Sequence, residues 1–211
     1  MARAPKQLKF TETLPIGSTE RSKMRAILDP RLSHGGNPSI KKRKTARPFA
    51  PKAPLHLVLR SARAKGTWSL LHRKNKATVM SMIYVYADRF KVTVYRAANV
   101  GNHIHLLVKA TDRKNLADFL RVLAGRIAVV VTGAQKGGYI NGKFHAAKKI
   151  GRFWDYLYWS RLVNWGADFY RVRKYVLTNE LEELSKEHRE MILKSVGIDE
   201  WSLDAQTLNS S

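Results

Sequence analysis

From Leu55 onward the apolar residues fall into short runs of strand character and longer runs at helical spacing. Leu55-His56-Leu57-Val58-Leu59-Arg60 is short, apolar and partly β-branched, which predicts a buried strand. Between Asn75 and Phe90, Val79, Met82, Ile83 and Tyr86 recur at helical spacing. Lys91 to Arg96 alternates polar with apolar, as a strand does, and Asn99-Val100-Gly101-Asn102 is a turn sequence. His103-Ile104-His105-Leu106-Leu107-Val108 follows, so the two strands predict an antiparallel hairpin. Thr111-Asp112 opens a helix whose Leu116, Phe119, Leu120, Leu123 and Ile127 share one face. Gly133 to Gly142, with four glycines, predicts a loop. The aromatic stretch Phe153 to Ser160 predicts a strand. Asp168 to about Leu184 predicts a helix carrying Phe169, Val172 and Val176, and Lys186 to Val196 a last amphipathic one.

The resulting order is βαββαβ plus a C-terminal helix, the pattern of a ferredoxin-like (RRM-like) α+β fold. That architecture predicts an antiparallel sheet with helices on one face and the other face open. The division along the chain is 1–50 a basic leader, 51–184 the folded domain, and 185–211 a helix with a polar tail. The leader carries five prolines, the pair Gly35–Gly36 and the run Lys41-Lys42-Arg43-Lys44, without a sustained hydrophobic period. That run is either a solvated tail or an arm that clamps a phosphate backbone.

Charge narrows the function. The chain has 39 Lys and Arg against 16 Asp and Glu, a net charge of +23. Nucleic acid is the first candidate partner, and an anionic membrane surface a distant second. With no Cys, a disulfide framework and a thiolate site are excluded. The longest clean apolar run, Ile127 to Val131, is far short of the roughly 20 residues a bilayer requires. The basic start, Met1 to Phe10, has no apolar segment of signal-peptide type, so a cytoplasmic location is expected. No Walker loop, GxSxG or HExxH occurs, so an NTPase, a serine hydrolase and a zincin protease have no support.

Two patterns could carry chemistry. In a strand, His103 and His105 project from one side, while Ile104, Leu106 and Val108 face the helices. Two imidazoles so placed can chelate a divalent ion, given a third ligand from elsewhere; alternatively they are two ordinary half-buried histidines. On the last long helix, Tyr175 and Asn179 are i and i+4 and share a face beside the apolar stripe, and Tyr170 points away from both. Tyr175 is there either as an edge residue with its hydroxyl in water or as a phenolic nucleophile beside a carboxamide.

Together these segments resemble the single-tyrosine transposases of the HUH endonuclease superfamily, which include the REP-associated tyrosine transposases. Gly101-Asn102-His103-Ile104-His105-Leu106-Leu107-Val108 resembles the family's His-hydrophobic-His motif. Phe153-Trp154 and Arg173-Lys174-Tyr175-Val176-Leu177-Thr178-Asn179 resemble its aromatic segment and tyrosine helix, and Arg47-Pro48 to Leu59 its approach to the first strand. The resemblance covers roughly residues 45–182. In one departure, relatives with Asn at this place often continue Asn-Pro, whereas this chain reads Asn179-Glu180.

The resemblance implies a metal-dependent transposase that cleaves and rejoins single-stranded DNA bearing hairpins. It implies that His103, His105 and Asn179 hold Mg²⁺ or Mn²⁺ and that Tyr175 attacks phosphorus, leaving a 5′-phosphotyrosine and a free 3′-hydroxyl. A phenol has a pKa of about 10, so a nearby cation or a proton acceptor must assist it. Lys109, Arg171 and Lys174 are candidates for that charge and, with Lys41, Lys42, Arg43 and Lys44, for holding the nucleic acid. Members act as homodimers in many cases. Two alternatives stand beside this reading: a non-enzymatic nucleic-acid-binding module with an RRM-like fold, and another HUH nuclease of the replication-initiator or relaxase type.

Overall fold

The computed structural model describes residues 33–35, 47–135, 137–140, 143–147 and 150–181, with positions 191, 192 and 195. In chain order the elements are β1 (Ser33–His34), β2 (Leu55–Arg60), a 3-10 turn (Gly66–Trp68), α1 (Lys76–Arg89), β3 (Val92–Asn99), β4 (His103–Ala110), α2 (Arg113–Thr132), β5 (Gly138–Ile140), β6 (Lys143–His145), β7 (Trp159–Leu162) and α3 (Ala167–Glu180). The main sheet is antiparallel with the order β1-β7-β2-β4-β3, and β5 and β6 pair as a separate ribbon. Without its two-residue edge, the order β7-β2-β4-β3 is that of the expected ferredoxin-like fold, with β2 and β4 at the centre.

One face carries the larger core. Leu55, Leu57 and Leu59 of β2 and Ile104, Leu106 and Val108 of β4 are buried there with Val79 and Ile83 of α1 and Leu116, Phe119, Leu120, Leu123 and Ile127 of α2. The alternation in the strands and the 3.6-residue period in the helices therefore meet at one surface. Local chemistry fixes the helix ends. Asp112 caps α2 by accepting from the Asn115 amide at 2.7 Å. Gly133, with φ +65°, ends that helix in the left-handed region that favours glycine.

The opposite face is not open. Ala98, Leu107 and Val163 form a second core with Val172, Tyr175 and Val176 of α3. The cause lies in β4, which is apolar at both parities: Leu107 faces away from Leu106 and needs its own cover. A β-bulge between Val94 and Arg96 adds to it. Val94 pairs with Val108 and Arg96 with Leu107, so the extra residue, Tyr95, lies beside Arg96 under α3.

Other expectations shift. Phe153 and Trp154 precede the strand, which begins only at Trp159. Phe153 is in the main core and the Trp154 indole donates to the Ala124 carbonyl at 2.9 Å, so these aromatics tie the crossover to α2. The glycine-rich stretch 133–142 leads into the β5–β6 ribbon, whose register sets Ile140 opposite Lys143. Helix α3 ends at Glu180 rather than near Leu184. The helix expected over Lys186 to Val196 lies outside the described residues except at Met191, Ile192 and Ser195.

Of the leader, Ser33–His34 pairs with β7 as the sheet edge. Arg47 fastens it: its guanidinium donates to the Tyr158 carbonyl at 2.8 Å and the Ser160 hydroxyl at 3.2 Å, and lies 3.9 Å from the Tyr158 ring centre. Lys41, Lys42, Arg43 and Lys44 lie outside the described residues. Among the described residues, no helix is long and apolar enough to cross a membrane.

Candidate active site

Two strands and one helix bring the site together. His103 and His105 lie on β4, 2% and 1% exposed, on the face that α3 covers. Their ring centres are 4.7 Å apart. Tyr175 and Asn179 lie on α3, 8% and 4% exposed. The Tyr175 ring meets His105 edge-on at 5.4 Å. The i, i+4 spacing thus places phenol and carboxamide on the histidine side of α3, as the angular argument expects. Tyr170 is 58% exposed and packs its ring on Phe169.

The helix is anchored at both ends. Arg161 of β7 donates bidentately to Asp168 in the first turn of α3, at 2.9 and 3.1 Å, and both side chains are buried. Asp168 also accepts from the Asn164 amide at 2.9 Å. Gly166, with φ +86°, supplies the left-handed backbone from which the helix starts. Tyr95, Trp165 and Phe169 stack edge-on beside this end. At the other end Glu180 pairs with Arg96 at 2.6 Å. That contact accounts physically for a Glu following Asn179: the side chain ties the end of α3 to the bulged strand.

His56 is a site residue that sequence reading passed over. It is 4% exposed, stacks on His105 at 5.3 Å and meets Tyr175 edge-on at 5.8 Å. His56 Nε2 and His105 Nδ1 are hydrogen-bonded at 3.1 Å. The signal was the alternation of β2: the leucines occupy odd positions, leaving His56, Val58 and Arg60 on the other face. Pairing then sets Val58 opposite His105 and Arg60 opposite His103.

Burial and charge decide the protonation of these rings. Desolvation, then the Arg60 charge, lowers the His103 pKa to about 4. Desolvation, then the charge of Arg161, lowers that of His56 to about 3. His105 falls well below its ordinary value through desolvation and then through His56 and His103. All three are neutral at pH 7, the state in which an imidazole nitrogen can ligate a metal. Lys109, Arg171 and Lys174 are half-buried. Lys109 lies six residues along β4 from His103, about 20 Å at strand rise.

Three ligand-type atoms stand out. His103 Nε2, His105 Nε2 and Asn179 Oδ1 are buried and have no hydrogen-bond partner among the described residues. Their orientation is set from behind. His103 Nδ1 bonds the Asn102 carboxamide oxygen, an acceptor, so the proton is on Nδ1 and Nε2 holds a lone pair. Asn179 Nδ2 donates to the Tyr175 carbonyl at 2.7 Å, so the opposite atom of the carboxamide is the oxygen. An unsatisfied buried acceptor costs about 1–3 kcal/mol, and such atoms fit a group that accepts lone pairs. No three His, Cys, Asp or Glu side chains form a metal cluster among the described residues. A divalent ion here would therefore have the two imidazoles and a neutral amide oxygen.

No protein-family profile matches the chain, and no curated protein matches it. Among solved structures, a REP-associated tyrosine transposase bound to a REP hairpin aligns with TM-score 0.49 and 9% identity, over 71% of this chain and 86% of that one. A candidate transposase from Deinococcus radiodurans aligns with TM-score 0.33 and 19% identity, over 43% of this chain and 68% of that one. The chain is similar in structure to these transposases. What its site can do is decided by its own side chains.

Proposed function

We propose that the protein is a metal-dependent transposase that cuts and rejoins single-stranded DNA through a phosphotyrosine at Tyr175. The observation that carries this reading is the set of buried ligand atoms on His103, His105 and Asn179 that have no partner among the described residues, with the Tyr175 ring against His105. Mg²⁺ or Mn²⁺ held by these residues would polarise the scissile phosphate and offset the charge growing on its oxygens. Tyr175 Oη forms a bond to phosphorus as the bond from phosphorus to the 3′-oxygen breaks. The phenolic proton is balanced by the one gained by the departing 3′-hydroxyl. Attack of another strand's 3′-hydroxyl on the phosphotyrosine reverses the step, so rejoining needs no nucleotide cofactor. His56 and His105 wall the ring, and the anchors of α3 hold it against the imidazoles, so the nucleophile is positioned before substrate arrives.

DNA with a single-stranded segment beside a hairpin is the proposed substrate, held by the +23 chain through its phosphates. An RRM-like binding module would read bases on an open sheet face, and here α3 covers that face across Ala98 and Leu107. The test is incubation with single-stranded and hairpin oligonucleotides with Mn²⁺ or with EDTA, followed by a denaturing gel. A protein–DNA adduct that forms with Mn²⁺ and disappears with EDTA is expected. Cleavage that proceeds equally in EDTA would contradict the reading.

A further inference from the structure

His56 is a buried polar side chain at the site whose part so far is only to wall the Tyr175 ring. Its ring is sandwiched in a fixed pose: stacked on His105, edge-on to Trp159 at 5.4 Å and edge-on to Tyr175. It reaches His105 through one hydrogen bond, ring nitrogen to ring nitrogen. Such a bond needs one protonated and one bare nitrogen, so it has two forms. In one, His105 Nδ1 carries the proton and donates to His56, and His105 Nε2 is a lone pair. In the other, His56 Nε2 donates, the proton of His105 sits on Nε2, and that atom cannot ligate.

We infer that His56 is a positioning residue: it accepts from His105 Nδ1–H and thereby holds His105 in the tautomer whose Nε2 lone pair faces the site. His105 Nε2 is buried without a hydrogen-bond acceptor among the described residues to take a proton, which disfavours the other form. His103 provides the parallel case, since Asn102 fixes its proton on Nδ1 in the same way. The two ligand imidazoles are therefore oriented by different partners, Asn102 in the turn and His56 on the neighbouring strand. The role of His56 rests on the metal-binding reading given above, but its tautomer can be measured without metal.

The experiment is long-range ¹⁵N–¹H NMR of the histidine rings in the metal-free protein at neutral pH, with Mn²⁺ binding measured by EPR in parallel. The wild type is expected to show His105 as the Nδ1–H tautomer. His56→Phe keeps a buried ring and removes the acceptor, so His105 should lose its single tautomer and Mn²⁺ affinity should fall roughly 10- to 100-fold. His56→Gln offers an acceptor oxygen and should restore most of that affinity, which a purely packing role would not produce. A wild-type His105 protonated on Nε2 would overturn the inference without any variant, even if His56→Phe failed to fold. Unchanged tautomer and affinity in a folded His56→Phe would overturn it as well. If the wild type binds no Mn²⁺, the proposed function fails, and the metal-free tautomer still decides what His56 does.

Discussion

The two faces of the sheet are built by different rules. Beneath α1 and α2 the buried residues are mostly apolar, from Leu55 to Phe153, with polar members such as Ser160 and Thr132 at the margins. Beneath α3 a smaller apolar patch is interrupted by buried His56, His103, His105, Arg161, Asp168 and Asn179. The first face is held by burial, at about 25 cal/mol per Å² of apolar surface removed from water. The second gives part of its area to polar groups that must be paired. Most are paired, Arg161 with Asp168 and His56 with His105, and His103 Nε2, His105 Nε2 and Asn179 Oδ1 are left without a partner among the described residues. One face is thus held by apolar burial and the other by pairing of polar groups, and substitutions on the two sides should fail in different ways.

The largest effect on folding is expected from Arg161→Met, which strands the buried Asp168 carboxylate. Loss of one partner of a buried pair costs about 3–5 kcal/mol, measurable by denaturant unfolding. Adding Asp168→Leu should recover most of it. If the double variant is as unstable as the single one, the helix is anchored by something other than charge pairing. Leu106→Ala on the dry face should cost about 2–5 kcal/mol. His105→Ala, one residue away and facing the other side, should cost less stability but abolish Mn²⁺-dependent cleavage with DNA affinity largely kept. Equal loss of stability in both would erase the distinction between the faces.

A smaller effect follows from the neutral histidines. The folded-state pKa values of His56 and His103 are lowered to about 3 and about 4, against 6.5 for the free ring. As pH falls through 6.5, the unfolded chain takes up protons that the folded rings refuse. Their contribution is thus present above pH 6.5 and is lost progressively as the pH falls toward 4 and below. In EDTA, the denaturation midpoint should drop across this window, and His103→Gln should flatten the slope. An identical slope in that variant would show that other groups set the acid response.

Most of the fold was legible because period and parity survive in the sequence. The helix over Lys76–Arg89 and the capped α2 follow from apolar spacing, and the β3–β4 hairpin from alternation around Gly101. The covered second face was less legible: Leu107 shows its demand for a partner only once β4 is seen to be apolar on both sides. The strand after Trp154 was displaced because aromatic residues favour strands by fitting packed surfaces, and here that surface is α2. That His103 and His105 share one strand face, and Tyr175 and Asn179 one helix face, was readable from spacing; their proposed roles came from the resemblance. His56 was hidden, since its place beside His105 depends on the register of two strands 49 residues apart. Arg60 was hidden in the same way.

The weakest effect should come from the leader. Deleting residues 1–32 leaves the β1 edge in place and should lower DNA affinity and the steepness of its salt dependence, without moving the cleavage position. For every phosphate that the shortened chain leaves un-neutralised, the salt slope should shrink by about 0.7 for single strands. A shifted cleavage position would mean that the leader shapes the site.

The most direct measurement is mass-spectrometric mapping of the covalent DNA adduct formed with Mn²⁺, in the wild type and in Tyr175→Phe. The side chain is 8% exposed and the substitution keeps its ring, so the variant should fold and bind DNA. A 5′-phosphate on Tyr175 in the wild type, and no adduct in the variant, is the predicted result. An adduct on Tyr170, Tyr156 or Tyr158, or one that persists in Tyr175→Phe, would contradict the account.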